Sequence, residues 1–128
     1  MKSFIKITKE EYRRVSDKGI MCILNYRIQV NRFNYIMRDL FRTNKARDIF
    51  KTFDRCDVAT VYLKEGETYD KKTGEAKAKK KALAIAHKRF YHDADRFQYW
   101  LINCANDFFL LNQEHNHRAQ VLLEKVKQ

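Results

Sequence analysis

The chain contains no proline and only three glycines, Gly19, Gly66 and Gly74, in 128 residues. This scarcity of backbone breakers constrains the fold more than any other feature. An all-β sandwich needs a turn roughly every 8–12 residues, usually built with Gly, Pro, Asn or Asp. The pattern therefore favours long helices with few connections. Hydrophobic residues at 45% and aromatics at 13% suffice for a folded core. With no Gly/Ser-rich linker and no internal repeat, a single domain over residues 1–128 is expected.

Phe4 to Ile7 alternates loosely and reads as a short edge strand. Thr8-Lys9-Glu10-Glu11 has capping-box spacing, which predicts a helix over about 9–18 closed by a left-handed Gly19. Ile20 to Val30 fits a strand or a buried helix, the strand being favoured. From Asn31 onward, Phe33, Ile36, Met37, Leu40 and Phe41 share one helical face. A further short helix starting near Thr43-Asn44 turns Ile49, Phe50 and Phe53 inward. Asp57 to Lys64 reads as a strand, with Val58, Thr60 and Tyr62 on one face and Ala59, Val61 and Leu63 on the other. Both faces are largely apolar, so cover on both sides is expected. Glu65-Gly66-Glu67 makes a turn.

Beyond Asp70 only Gly74 interrupts a helical pattern. Leu83, His87, Phe90, Ala94, Phe97, Leu101, Cys104, Phe108, Leu111 and His115 step by four and three residues over about five heptads. One helix over 75–127 would be roughly 80 Å long. A break near His92–Asp95 or Asn112–Asn116, giving a helical hairpin, is expected; the alternative is a protruding helix that dimerises. The fold class is α+β and predominantly helical. A small sheet from residues near 4–7, 21–28 and 58–64 is packed by a long lysine-rich C-terminal helix or helical hairpin.

The charge is lopsided. Lys and Arg number 27 against 16 Asp and Glu, giving +11 and a pI near 9.7. This argues against an acidic nucleic-acid mimic and for a polyanionic partner. Residues 71–96 hold nine of the cations and three acids. Lys71, Lys72, Lys77, Lys80, Lys81, Lys88 and Arg89 are the candidate phosphate contacts, each able to displace a counterion. The plainer reading is a solvated, lysine-rich helix face. Arg38, Arg42, Lys45 and Arg47, with Lys51, form a second basic group suited to bidentate phosphate contacts. If the fold brings the two groups together they form one groove. Phe33, Phe50, Phe90 and Phe97 lie on apolar stripes and belong in the core, whereas Tyr91, Tyr99 and Trp100 lie beside the stripe. Those three are candidates for stacking on bases or contacting a partner.

No reaction is indicated. His87, His92, Asp93 and Asp95 fall within nine residues of one helix, so one or two ligands at most converge and no metal site is expected. His87 and His115 read as core or interface residues, and His115 and His117 project about 200° apart on a helix. There is no Gly-x-Ser-x-Gly elbow, no phosphate-cradling glycine loop and no recognisable Cys–His pair, so a non-enzymatic protein without a cofactor is expected. Cys22, Cys56 and Cys104 form no Cys-x-x-Cys pair and are expected as buried free thiols in a reducing compartment. No apolar run suits a signal peptide or a membrane span, so a cytoplasmic protein without a membrane partner is expected.

Residues 60–83 run from a strand through a Gly66 turn and the Tyr69-Asp70 pair to Gly74, Ala78 and Lys81 at Gly-x-x-x-Ala-x-x-Lys spacing. This segment resembles a module of small bacteriophage accessory proteins. The likeness covers under a fifth of the chain and departs at Thr68, because an acidic turn is commoner one step earlier. Local physics explains such a module: Tyr69 packs as a staple, Asp70 caps the helix, and Gly74 and Ala78 keep the helix–strand contact thin. By analogy the resemblance implies an anti-defence role in the host cytoplasm, inhibition of CRISPR-type immunity included. The expected activity is binding to RNA or DNA, or to a host ribonucleoprotein, that blocks it by occupancy. One alternative is an interaction module that forms a homodimer, or docks a host helix, through the Leu83–Leu111 stripe. The other is a sponge for nucleotide second messengers.

Overall fold

The structure, a computed structural model, describes residues 4–29, 35–50 and 53–127. It divides into two compact units, Met1–Ala94 and Asp95–Gln128. The first unit is α+β. It contains β1 (Ile5–Ser16), β2 (Gly19–Ile28), α1 (Tyr35–Phe41), α2 (Asn44–Phe50) and β3 (Asp54–Tyr62). It also holds residues 71–94 of α3 (Lys71–Lys127), and residues 95–127 of that helix make up the second unit.

The three strands form an antiparallel sheet in the order β1-β2-β3. β2 is central, and its even positions Ile20, Cys22, Leu24, Tyr26 and Ile28 are all buried, as alternation of side chains across a pleat requires. Against them lie Ala78, Ala82 and Ala86 of α3, each fully buried. Four-residue spacing stacks these alanines in one ridge, and Gly74 extends it by a turn. A Cβ on Gly74 would stand 3.2 Å from Cγ2 of Ile20, so glycine sets the closest approach of helix and sheet. Burial of each Leu or Ile in this layer stabilises the unit by roughly 1.5–3 kcal/mol.

A second apolar group gathers the two short helices. Phe41 and Phe50 lie 4.9 Å apart, centroid to centroid, Phe53 stacks on Phe50 at 6.4 Å, and Phe50 meets Phe90 of α3 at 6.0 Å. The Thr43 hydroxyl accepts from the Ala46 amide at 3.3 Å, which caps α2 where the sequence predicts. α2 buries Ile49 and Phe50 as expected, but Ile36 of α1 is exposed rather than inward. Val30, Asn31, Arg32, Phe33 and Lys51 lie outside the described residues, and with them the predicted start of the first helix and the expected burial of Phe33.

Several expectations are overturned. Residues 9–16 are strand, not helix. β1 and β2 form a hairpin in which Tyr12 faces Cys22 and Arg14 faces Ile20. A register shift between Ile7 and Lys9 moves the sheet-facing positions from odd to even, so Ile5, Ile7 and Tyr12 share a face despite their mixed parity. That bulge hides the alternation. Gly19 is not a helix terminus. It opens β2, where a Cβ would lie 2.7 Å from Val15 and 2.8 Å from Tyr62. β3 is covered on one side only, since Val58 and Tyr62 on its other face are 47% and 67% exposed. The expected breaks at His92–Asp95 and Asn112–Asn116 do not occur, because both stretches are helical. Neither contains Gly or Pro, and the Glu114–Arg118 ion pair, 2.6 Å at one-turn spacing, bridges the second. The sheet-facing ridge of α3 is the alanine row rather than the heptad stripe, so Leu83 and Phe90 are half-buried and His87 and His115 are exposed. Of the thiols only Cys22 is buried; Cys56 and Cys104 are exposed.

Candidate nucleic-acid interface

The alanine ridge decides where the lysines of α3 point. At 100° per residue, Lys77, Lys80 and Lys88 fall on the side of the helix away from Ala82, and Lys81 falls at its flank. All four are exposed, as are Lys71 and Lys72 in the first turn. Lys77 to Lys88 spans about 16 Å of helix. Among the described residues, Lys71, Lys72, Lys77, Lys80 and Lys88 enter no ion pair.

The other two cations named from the sequence are engaged within the fold. Lys81 Nζ donates to the Thr60 carbonyl at 2.8 Å, tying α3 to β3. Arg89, seven residues beyond Ala82, returns to the sheet-facing side and reaches Asp57 at 3.3 Å. Asp57 also accepts a short hydrogen bond from the buried Tyr26 hydroxyl. Burial is the main reason that the Tyr26 hydroxyl is pushed up to about 12, and the bond to Asp57 adds to it. One turn beyond Arg89, Asp93 accepts from Arg55 at 2.6 Å. Asp93 is thus the partner of a buried arginine rather than a member of a His-Asp cluster. Lys79, at the edge of the ridge, pairs with Glu10 at 3.0 Å.

The second basic group lies elsewhere. Arg38 of α1 and Arg42, just beyond its end, line a cleft of about 660 Å³ together with Lys6 of β1 and Arg27 of β2, floored by Ile28, Phe41 and Phe53. Lys6 and Arg27 were not singled out from the sequence. They face each other across the β1–β2 ladder, a pairing visible only once the hairpin register is known. Acids temper this cleft: Arg27 pairs with Asp54 at 2.7 Å and Arg42 with Asp39 at 3.5 Å. Lys45 and Arg47 are exposed on α2 and do not line it.

A smaller cleft of about 250 Å³ opens where α3 begins, between Lys18, Tyr62, Tyr69 and Lys77. Its charge is mixed, because Glu67 and Asp70 also line it. Asp70 caps α3 itself, accepting from the Lys72 amide at 3.2 Å and from the Thr73 hydroxyl. A carboxylate therefore already occupies the helix start, where an anion would otherwise sit. Arg14 lies over the Tyr69 ring at 4.0 Å, which holds the β1–β2 turn against this loop.

The two basic groups share neither cleft: Lys77 lines the smaller one, and Arg38 and Arg42 line the larger. The small cleft is lined by Ile20 and the larger one by Ile28 and Gln29, the opposite ends of β2. Eight residues of strand separate them by about 26 Å. Of the candidate aromatic contacts, Tyr91 and Tyr99 are 63% and 67% exposed. Trp100 is half-buried and stacks on the buried Phe97 at 5.7 Å. No protein-family model, curated protein or solved structure matches this chain. No helix among the described residues is long and apolar enough to cross a membrane.

Proposed function

We propose that this protein binds nucleic acid, free or within a ribonucleoprotein, through the outward lysine row of α3, and acts by occupying it. One observation carries the reading. Two nearby acids are spent inside the fold, Asp57 on Arg89 and Tyr26 and Asp93 on Arg55, while Lys71, Lys72, Lys77, Lys80 and Lys88 are exposed and, among the described residues, enter no ion pair. Excess positive charge on one side of a rigid helix, carried by Lys77, Lys80 and Lys88 and extended at its start by Lys71 and Lys72, suits a phosphate backbone, since each contact releases a condensed counterion. Tyr91 is exposed one turn beyond Lys88 and is available to stack on a base. The Lys6, Arg27, Arg38 and Arg42 cleft is a second anchor for the same strand or for a neighbouring one. The resemblance of residues 60–83 to phage accessory proteins extends the proposal to interference with a host defence ribonucleoprotein, by analogy alone.

The test is direct. Protein purified without nuclease is expected to carry nucleic acid, seen as a raised 260/280 nm absorbance ratio that falls after nuclease treatment. The nuclease-treated protein should bind labelled RNA or DNA in 50 mM salt. Failure to bind either one sinks the reading. The exposed apolar side chains of residues 102–126 favour a second reading, a helical interaction module, whose association would tolerate salt.

A further inference from the structure

Residues 102–127 are exposed throughout, although they include Phe108, Leu111, Leu122 and Val126, which are 63%, 47%, 61% and 82% exposed. These four share one face of α3 with Cys104, His115 and Ala119. The steps between successive members, beginning at Cys104, are 4, 3, 4, 4, 3 and 4 residues. The series reads the same from either end, and its centre is His115. We propose that residues 104–126 of α3 pair antiparallel with the same residues of a second copy of this chain, about a two-fold axis beside His115.

Antiparallel pairing brings the series onto itself layer by layer. Phe108 meets the second copy's Leu122, Leu111 meets Ala119, Cys104 meets Val126, and His115 meets His115. A long side chain thus faces a short one at Leu111, and every layer has a partner. The steps average about 3.7 residues, so two nearly straight helices keep the seam together without strong supercoiling.

Charge fixes the direction independently. On one flank of the seam stand Asp107 and Glu114, followed by Arg118 and Lys125. In an antiparallel pair, like flanks lie side by side. Asp107 then falls beside the second copy's Lys125, and Glu114 beside its Arg118, in the register that the core layers require. The intrahelical Glu114–Arg118 pair, 2.6 Å in one chain, becomes half of a four-membered ring of alternating charge around the axis. In a parallel pair, opposite flanks meet instead. Asp107 and Glu114 would then face Asn112 and Ala119, with no cation in reach. On the other flank the antiparallel register sets Asn112 beside Asn116 and Ala105 beside Leu123. Because the same surface serves both copies, association closes at two chains. This inference does not rest on the nucleic-acid reading.

The test uses the full chain, nuclease-treated, with exposed Cys56 changed to Ser. Sedimentation equilibrium should give twice 15.5 kDa. Phe108→Glu should give a monomer with unchanged helical circular dichroism. Cys104 reads the direction, because two copies of it would lie about 33 Å apart in the antiparallel pair and side by side in a parallel one. Mild oxidation should leave the Cys56→Ser protein uncrosslinked, and adding Val126→Cys should produce covalent dimers. Asp107→Lys should weaken association, and Asp107→Lys with Lys125→Asp should restore it. A monomer, a dimer that crosslinks through Cys104 alone, or a dimer to which Val126→Cys adds no crosslink would each overturn the proposal.

Discussion

Replacing Asp93 by Ala should destabilise the α+β unit more than any other removal of a surface-accessible acid. The Arg55 side chain is only 1% exposed and its partner Asp93 18%, with 2.6 Å between them. Arg55 also donates to the Phe50 carbonyl at 3.0 Å, so its guanidinium is locked beneath α3 and cannot follow water outward. Deleting one partner of a buried pair costs about 3–5 kcal/mol, because the other charge stays desolvated. The Phe50 carbonyl offsets part of that loss, which places Asp93→Ala near 3 kcal/mol. With a urea slope of about 1.5 kcal/mol/M for a unit of this size, the unfolding midpoint should fall by about 2 M. Two controls isolate the cause. Glu10→Ala removes the Lys79 pair, in which both side chains are 38% exposed, and should cost less than about 1 kcal/mol. Arg55→Met with Asp93→Leu removes both charges and should recover most of the loss. An Asp93→Ala midpoint within 0.3 M of the parent would refute the argument that this pair is desolvated.

Three further outcomes follow from buried and exposed groups. The Tyr26 hydroxyl, 1% exposed, is raised by burial and by Asp57 from 10 to about 12. Its contribution is fully present below pH 10 and is lost as pH rises towards 12, because the unfolded chain releases that proton first. Thermal melts should therefore drop steeply over pH 10–12, and Tyr26→Phe should make the drop shallower; an unchanged slope would count against it. Native protein should react with a thiol reagent at Cys56 but not at the fully buried Cys22, whose thiol burial also pushes up; a fast reaction at Cys22 would contradict the packing. Gly74→Val should destabilise the first unit, since even a Cβ would crowd Ile20 at 3.2 Å; a variant with parental stability would show that helix and sheet separate freely.

The legible part of this fold is where backbone need and residue type coincide. Gly66 adopts φ of 84° in the turn after β3, and Gly74 and Ala78 mark the thin contact of α3 with β2, as the residues themselves suggest. The start of β1 was legible as an edge strand, but residues 9–16 were not, because the bulge switches the parity of the buried positions and because Thr8 to Glu11 imitates a helix start. Tertiary pairing with β2 overrides that local preference. The lysine row was visible as charge, but the sequence could not separate Lys77 and Lys88, which face solvent, from Lys81 and Arg89, which the sheet holds. That distinction depends on the alanine ridge. Lys6 and Arg27 were missed because they are 21 positions apart in the chain and meet only across a ladder.

The lysine row is tested most directly by the salt dependence of binding to a labelled single strand, for the parent and for Lys71→Glu, Lys77→Glu, Lys80→Glu and Lys88→Glu combined. Each phosphate contact to a single strand contributes about −0.7 to the slope of log K against log salt. The parent should therefore show a slope of about −3 or steeper, and the fourfold variant should show no binding at 50 mM salt while keeping its helical signal. A flat slope, or a variant that binds as the parent does, would contradict the account.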